Sequence, residues 1–453
     1  NGGDGLVAAR HLALAGRAVT VVLAAPPTGP AVDNLRALEG WVPVASLIEL
    51  PDCLRRAQLV IDALLGVGFR PPLSPELADI ITRINAAQVP VLACDIPSGV
   101  SGDTGAAELA VQATATVALA GLKPGHLFHP GRSLAGILLV ADIGVPPPAC
   151  PQTQLELVDA ALARSWLPHR TGNAHKNAVG RVLVAAGSAQ YPGAAALVCL
   201  GALRSGAGYV RLASPAHPPL PPEIVRTAPI PTWDTAAYQA LSAVPADAWV
   251  IGPGMGREGS AQFVPAFLSQ GRVPAVIDAD ALHALSAHLD QVRHYQPGLV
   301  LTPHPGELAA ITASNVEQIV ADPIAAARKA AAHFGQPVVL KGGPSVTATP
   351  EGQAYVNGSG NPGMAVAGAG DVLSGVIGSL IAQRVPVTIA GALGSYLHGL
   401  AGDLAAEQHG VGLIPSDIAS LLGQARVQLE EGQVKDVYSI RSTEAPSARR
   451  SIR

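Results

Sequence analysis

The chain has 453 residues, which at roughly 150 residues per domain gives about three domains, or two if each is a large α/β unit. Its 49% hydrophobic and 14% charged content excludes a disordered chain, and its 49 glycines and 40 prolines are scattered without period, which excludes collagen-like and low-complexity classes. The formal charge is −4, with no Lys/Arg block before the C-terminal tail, so nucleic acid is not an expected partner.

The chain opens in Asn1-Gly2-Gly3-Asp4-Gly5, a glycine-rich turn running into a helical pattern over Leu6–Ala15. A strand ordinarily precedes such a turn. Position 1 is Asn rather than Met, with no signal peptide before the motif, so the sequence reads as N-terminally truncated. Ala18–Leu23 predicts a strand, Asp33–Leu38 a helix, Leu59–Leu64 a strand, Glu76–Ala87 a helix and Pro90–Asp95 a strand. Ala113–Ala120 and Gly136–Asp142 predict two more strands. Apolar runs alternating with amphipathic helices predict a parallel sheet covered on both faces. The greasiest run, Ala113–Leu122, is interrupted by threonines and stopped by Lys123-Pro124-Gly125, well short of the roughly 20 apolar residues a spanning helix needs. A soluble, cytoplasmic protein is expected, despite a mean hydropathy of +0.32. Cys53, Cys94, Cys150 and Cys199 lie 41, 56 and 49 residues apart, which supports neither a disulfide framework nor a zinc site. They are read as small core residues.

In open parallel sheets, ligands bind at the carboxyl ends of the strands. Three polar groups sit at such ends: Asn1 and Asp4 on the opening turn, Asp62 before Gly66-Val67-Gly68, and Asp95 in Asp95-Ile96-Pro97-Ser98-Gly99. Any one alone is equally a loop or helix-cap residue. Together they point to a phosphate-bearing ligand, with the backbone N–H groups of Gly2–Gly5 suited to a pyrophosphate.

These four segments, Asn1–Gly5, Asp62–Gly68, Asp95–Gly99 and Leu122-Lys123-Pro124-Gly125, resemble the NAD(P)H-hydrate epimerase domain. The resemblance implies that Asn1, Gly2, Gly3, Asp4 and Gly5, the loop Gly66, Val67, Gly68, Phe69, Arg70, Pro71 and Pro72, and Asp95 hold the hydrated dinucleotide. It further implies a potassium ion at Asn1, Asp62 and Ser98, all hard oxygen ligands. Asp95 is expected to exchange a proton with the substrate's C6 hydroxyl, with Lys123 as a weaker candidate partner.

Val145-Pro146-Pro147-Pro148-Ala149-Cys150-Pro151 ends the first pattern, because consecutive prolines continue neither a helix nor a central strand. Expected domains are therefore residues 1–148 and 152–428, with 429–453 a polar tail. In the second half, Arg181–Ala186, Tyr209–Ala213, Ala248–Ile251, Ala275–Ile277, Gly298–Thr302 and Pro337–Leu340 predict strands. Gly193–Leu203, Ala365–Ile381 and Val387–His409 predict helices, and the whole reads as a second, larger open parallel sheet.

Its chemistry-bearing residues again fall at strand ends. Gly252-Pro253-Gly254-Met255-Gly256 suits close ligand approach, Asp278 and Asp280 follow a buried strand, and His304 stands between Pro303 and Pro305. Lys341 follows Val338-Val339-Leu340 in a chain whose 29 basic residues include only five lysines. Asn361–Gly375 is the most specific element: Gly368-Ala369-Gly370 opens a helix whose N–H groups form an anion hole, and Asp371 sits where a general base would. Taken alone, such an Asp is more often a helix cap than a base. No Gly-Lys-Ser/Thr follows, so this is not a Walker loop.

His175-Lys176, Gly206-Ala207-Gly208, Gly252–Gly256, Thr302–Glu307, Lys341-Gly342-Gly343 and Gly368–Gly375 occur in the order seen in the ribokinase-like, ADP-dependent NAD(P)H-hydrate dehydratase domain, which this half closely resembles. The resemblance implies Ala194, Gly256, His304 and Asp371 at the hydrated nicotinamide, and Lys341, Gly342, Gly343, Pro344, Ser345 and Gly370 at ADP with Mg2+. The expected fold is α/β, with two open parallel-sheet three-layer domains, the first Rossmann-like and the second ribokinase-like. The expected function is epimerisation of NADHX and NADPHX with ADP-dependent dehydration of the S form; family members often form homo-oligomers. The alternatives are a ribokinase-like kinase of a hydroxymethylpyrimidine or thiazole alcohol, and a first domain that binds without catalysing.

Overall fold

The structure is a computed structural model that describes residues 2–145, 153–169, 179–434 and 440–441. It divides into two compact units, residues 1–151 with 438–453, and residues 152–437. The proline-rich seam and His175-Lys176 lie outside the described residues.

In the first unit, β1 (Val21–Val22) and β2 (Val44–Ala45) form a separate parallel pair. The main sheet is parallel throughout, built from β3 (Val60–Asp62), β4 (Val91–Cys94), β5 (Ala115–Leu119) and β6 (Ile137–Ala141) in sequential order. The helix Pro75–Ala86 shows how the sequence sets the layering. Ser74 caps it by accepting from the Leu77 N–H, Pro75 stands in its first turn, and Ile80, Ile81 and Ile84 are its buried face. That face packs with Leu50, Leu54, Val91 and Val111.

Two readings change here. The opening glycines are not a turn ahead of a helix: the helix itself runs Gly2–Leu14, so Gly2–Gly5 are its first turn. Packing overrides their poor helix propensity, because a Cβ at Gly5 would stand 2.6 Å from that of Ala63. In the segment read as a polar tail, Ile440–Arg441 is a two-residue strand pairing in parallel with Val140 and Ala141 on the outer edge of β6.

Among the described residues, the second unit holds ten strands: β7 (Leu155–Val158), β8 (Arg181–Ala185), β9 (Tyr209–Ala213), β10 (Val225–Arg226), β11 (Ala248–Ile251), β12 (Ala275–Ile277), β13 (Leu299–Leu301), β14 (Val338–Leu340), β15 (Val346–Ala348) and β16 (Ala354–Asn357). Their order is β10-β9-β8-β11-β12-β13-β14-β15-β16-β7. The sheet is mixed rather than wholly parallel, since β15 runs antiparallel to both β14 and β16. Every residue of β11, β12, β13 and β14 is buried, as befits strands covered on both faces.

The helix Ala369–Ala382 is the central cover and packs against Pro192–Arg204. The two lie so close that a Cβ at Gly375 would reach 2.1 Å from the Val198 carbonyl oxygen, and one at Gly201 2.3 Å from that of Val372. Glycine is required at both contacts. Val387–His409 forms the long helix predicted at those bounds. Among the described residues, no helix is long and apolar enough to cross a membrane.

Candidate functional site

Each unit gathers its polar residues at the carboxyl ends of its parallel strands. In the first unit, Asp62 ends β3 and is 1% exposed. Its carboxylate accepts from Ser98 Oγ at 2.6 Å, the Ser98 N–H at 2.8 Å and the Leu64 N–H at 3.2 Å. Ser98 Oγ in turn accepts from the Leu65 N–H at 2.9 Å, which locks the loop after β3 onto the loop after β4. Burial nevertheless raises the Asp62 carboxyl above the usual range.

Asp95 follows β4 in the left-handed region at φ 67, and the Ile96 N–H reaches back to the Cys94 carbonyl at 2.9 Å, closing a γ-turn around it. Ala120, after β5, repeats this arrangement at φ 62, with the Gly121 N–H on the Leu119 carbonyl at 2.8 Å. Such conformations cost a non-glycine residue on the order of 1–3 kcal/mol and persist where the surrounding structure imposes them. The Asp95 side chain is 9% exposed; its Oδ1 accepts from the Leu119 N–H at 3.0 Å and from Lys123 Nζ. Lys123 Nζ also donates to the Leu119 carbonyl at 2.9 Å. The two residues expected to work as an acid–base pair are thus in direct contact. Burial, with Asp62, Asp4 and Asp95 nearby, pushes the Cys94 thiol up to about 11, so this residue stays a thiol.

The loop Gly66–Pro72 is largely exposed, with Arg70 paired to Asp103 at 2.9 Å. The start of the Gly2–Leu14 helix faces the loop after β3 through the Gly5–Ala63 approach. Asn1, expected among the cation ligands, lies outside the described residues.

In the second unit, Lys341 leaves β14 and its Nζ donates to Asp278 Oδ1 at 2.8 Å, with Glu307 Oε2 at 3.6 Å. Asp278 is 1% exposed and its other oxygen accepts from Ser374 Oγ at 2.6 Å. One buried carboxylate therefore ties the lysine after β14 to the helix carrying Asp371, one turn before Ser374. These acidic neighbours raise the Lys341 pKa, outweighing its desolvation. Gly370 stands over the same ammonium: a Cβ there would lie 3.4 Å from Nζ. Gly368, at φ 96, caps the helix, and Asp371 lies in its first turn. Burial first, then the Asp278 charge, pushes the Asp371 carboxyl up to about 7, with Lys341 opposing.

His304 Nδ1 accepts from the Gly306 and Glu307 N–H groups at 3.0 and 3.2 Å, and Glu307 Oε2 accepts from the His304 N–H at 2.8 Å. The proton of the neutral ring is therefore on Nε2, on a side chain 55% exposed. The Gly256 N–H donates to Asp280 Oδ2 at 2.9 Å, and a Cβ at Gly254 would stand 3.0 Å from that of Ala194. This brings Ala194 and the Gly252–Gly256 loop together. Lys341–Ser345 is the turn of the antiparallel pair β14–β15, with Ser345 Oγ donating to the Gly342 carbonyl at 3.3 Å.

Sequence reading noted Asp278 without a role and passed over Ser374 and His126. Ser374 lies inside the Gly368–Gly375 motif, three residues after Asp371 and on the same helical face, which was its available signal.

Comparisons with known proteins agree with both halves. A family model described as NAD(P)H-hydrate dehydratase matches residues 182–424, and one described as YjeF-related protein N-terminus matches residues 1–125. The chain is 39% identical to a bifunctional NAD(P)H-hydrate repair enzyme of Moorella thermoacetica, over 95% of this chain and 86% of that one. It is 33% identical to a bifunctional NAD(P)H-hydrate repair enzyme of Escherichia coli strain K12, over 93% and 82%. Among solved structures, the ADP/ATP-dependent NAD(P)H-hydrate dehydratase of Bacillus subtilis, co-crystallised with ATP and Mg2+, superposes with a TM-score of 0.54 at 30% identity, covering 61% of this chain and 99% of that one.

Proposed function

This chain belongs to the family of bifunctional NAD(P)H-hydrate repair enzymes, and we propose that its two units divide the chemistry between the two strand-end sites. The family is an epimerase joined to a dehydratase, a reading preferred to a small-molecule kinase. Hydration of a dihydronicotinamide ring places OH on C6 and H on C5, which creates two C6 epimers.

In the second unit, Asp371 takes the proton of the C6 hydroxyl. The oxygen attacks the β-phosphate of ADP in line, and the bond to the bridging oxygen breaks to release AMP. The ring-nitrogen lone pair then expels phosphate from C6, and loss of the C5 proton restores the dihydropyridine. Lys341 and the N–H groups of Gly368–Gly370 face the charge that grows on the transferring group. Lys341–Ser345 and Gly370 hold the nucleotide, while Ala194, Gly256 and His304 hold the hydrated nicotinamide. Among the described residues there is no cluster of three His, Cys, Asp or Glu side chains able to hold a metal. A magnesium ion, as co-crystallised with ATP in the Bacillus subtilis dehydratase, would arrive with the nucleotide phosphates, which supply the hard oxygens it prefers and whose charge it would share.

What carries this reading is the convergence of Asp371, Gly370 and Lys341 at one strand-end mouth. Incubation with hydrated NADH, ADP and Mg2+ is expected to yield AMP, phosphate and dihydronicotinamide absorbance in equal amounts. A stable phosphorylated alcohol in place of them would overturn it.

In the first unit, the N–H groups at the start of the opening helix, within Gly2–Gly5, receive the pyrophosphate, and the exposed loop Gly66–Pro72 closes over the dinucleotide. Asp95 and Lys123 move the proton of the C6 hydroxyl. Ionised Asp62 fits a potassium ion, shared with Ser98 and Asn1. It is buried, and among the described residues no Lys, Arg or His side chain lies within ion-pairing distance of it. Bound there, the ion would supply a counter-charge for Asp62 and reinforce the Asp62–Ser98 contacts that hold the two loops together. Asp95→Asn is expected to slow epimer exchange, followed by NMR, by roughly 10²-fold or more, the scale of a lost acid–base group. Exchange at the parent rate would remove Asp95 from the mechanism.

A further inference from the structure

We propose that His126 is a positioning residue for epimerisation, holding the backbone turn that aims the Asp95 carboxylate. This inference rests on the reading of Asp95 as the acid–base group.

His126 is 0% exposed. Its Nδ1 accepts from the Lys123 N–H at 3.0 Å, which places the ring proton on Nε2, and Nε2 donates to the Asp95 carbonyl oxygen at 2.7 Å. Lys123 Nζ meanwhile donates to the Asp95 carboxylate. Both ends of Asp95, carbonyl and carboxylate, are thus gripped by one four-residue segment, and the imidazole links that segment's backbone to the turn. Burial pushes the His126 pKa down to about 4, which keeps Nδ1 an acceptor near neutral pH.

The segment itself has little room to move. The Gly125 N–H donates to the Gly102 carbonyl at 2.8 Å, and a Cβ at Gly125 would lie 2.3 Å from the Ser101 carbonyl oxygen. Asp95, by contrast, occupies a γ-turn at φ 67 that a non-glycine residue adopts only when its surroundings impose it. A fixed segment clamped onto a strained turn is the arrangement expected where the direction of one carboxylate matters.

The two ring contacts are separable by substitution. In His126→Gln the amide nitrogen reaches the place of Nε2 and keeps a donor to Asp95. In His126→Asn the amide oxygen takes the place of Nδ1, keeping the acceptor for Lys123 but leaving the Asp95 carbonyl unheld. His126→Leu keeps volume alone. The experiment measures kcat and KM for exchange of the two epimers of hydrated NADH by the whole chain. Dehydration of the S epimer in the same preparations serves as the control, and thermal melting of the first unit is followed in parallel.

Expected are an exchange kcat within a fewfold of the parent for Gln, and losses of roughly 10- to 100-fold for Asn and Leu, the scale of a misplaced catalytic group. KM and the dehydration rate stay near parental values. Parental kcat in the Leu variant, or equal kcat in the Gln and Asn variants, overturns the inference. The Gln–Asn comparison decides the matter should the Leu variant unfold. Asp95→Asn at the parent rate defeats the acid–base reading itself, whereas an inactive Asp95→Asn beside parental Asn and Leu variants at 126 defeats this inference alone.

Discussion

Asp371→Ala is expected to lose roughly 10²-fold or more of dehydration turnover while binding ADP within a fewfold of the parent, because a general base acts mainly in the transition state. Hydroxide is a poor leaving group, so the C6 oxygen must be converted to a phosphate ester before the ring nitrogen can expel it. That conversion requires removal of its proton. The carboxyl is well matched to such a transfer, since burial and the Asp278 charge push it up to about 7, against Lys341. Activity should therefore rise with pH and level off above about 7 as the base form fills. A raised folded-state pKa also has a stability sign. The folded chain binds the proton more tightly than the unfolded one, so Asp371 disfavours folding increasingly as pH climbs from its unfolded value through about 7. Asp371→Ala should accordingly melt higher than the parent at pH above 7, gaining stability as it loses catalysis. Calorimetric titration with ADP, the dihydronicotinamide absorbance and melting curves read all three. Near-parental turnover would reduce Asp371 to a first-turn carboxylate of the helix beginning at Ala369.

Much of this site was legible because it is written in contiguous motifs. Tyr209–Ala213, Ala248–Ile251, Ala275–Ile277 and Val387–His409 form at the bounds their hydrophobic runs predict. Buried strands of a covered sheet need no partner to be recognised. The hairpin β15–β16 was not legible. Val346-Thr347-Ala348 is three residues long and set among Gly, Pro and Ser, so its pairing comes from β14 and not from its own pattern. The opening glycines failed for the opposite reason. Their propensity says turn, while the close approach of Gly5 to Ala63, 58 residues away, makes them a helix.

Roles were harder to read than elements. Asp95 and Lys123 carried a signal, but no spacing rule announces that His126 would reach back to the Asp95 carbonyl. In the same way, the contacts of Asp278 with Lys341 and Ser374 span 63 and 96 residues. Local pattern names the strand end on which a residue sits, and tertiary packing decides which neighbour it meets.

That second kind of contact yields the other large effect. Asp278→Ala is expected to destabilise the second unit by about 3–5 kcal/mol, the usual cost of removing one partner from a buried ion pair. The loss has two sources. Lys341, 19% exposed, would keep its charge with Glu307 at 3.6 Å and the more distant Asp371 left to answer it, and Ser374 would lose the acceptor that ties the Asp371 helix to β12. Asp278→Asn should cost less than Asp278→Ala, since its amide oxygen still accepts from one donor, though Lys341 loses its nearest counter-charge. Lys341→Met separates the contributions. Alone it strands Asp278 as a buried carboxylate, whereas combined with Asp278→Asn it removes both charges, leaving a methionine of similar length beside a neutral amide that still faces Ser374. The double variant should then be more stable than the sum of the single losses predicts, by roughly 0.5–3 kcal/mol of coupling, as for residues in direct contact. Urea unfolding of the four proteins measures each corner of the cycle. Strict additivity, with Asp278→Asn close to the parent in stability, would show that Lys341 is held by solvent rather than by Asp278, and the ammonium proposed to bind phosphate would lose its structural anchor.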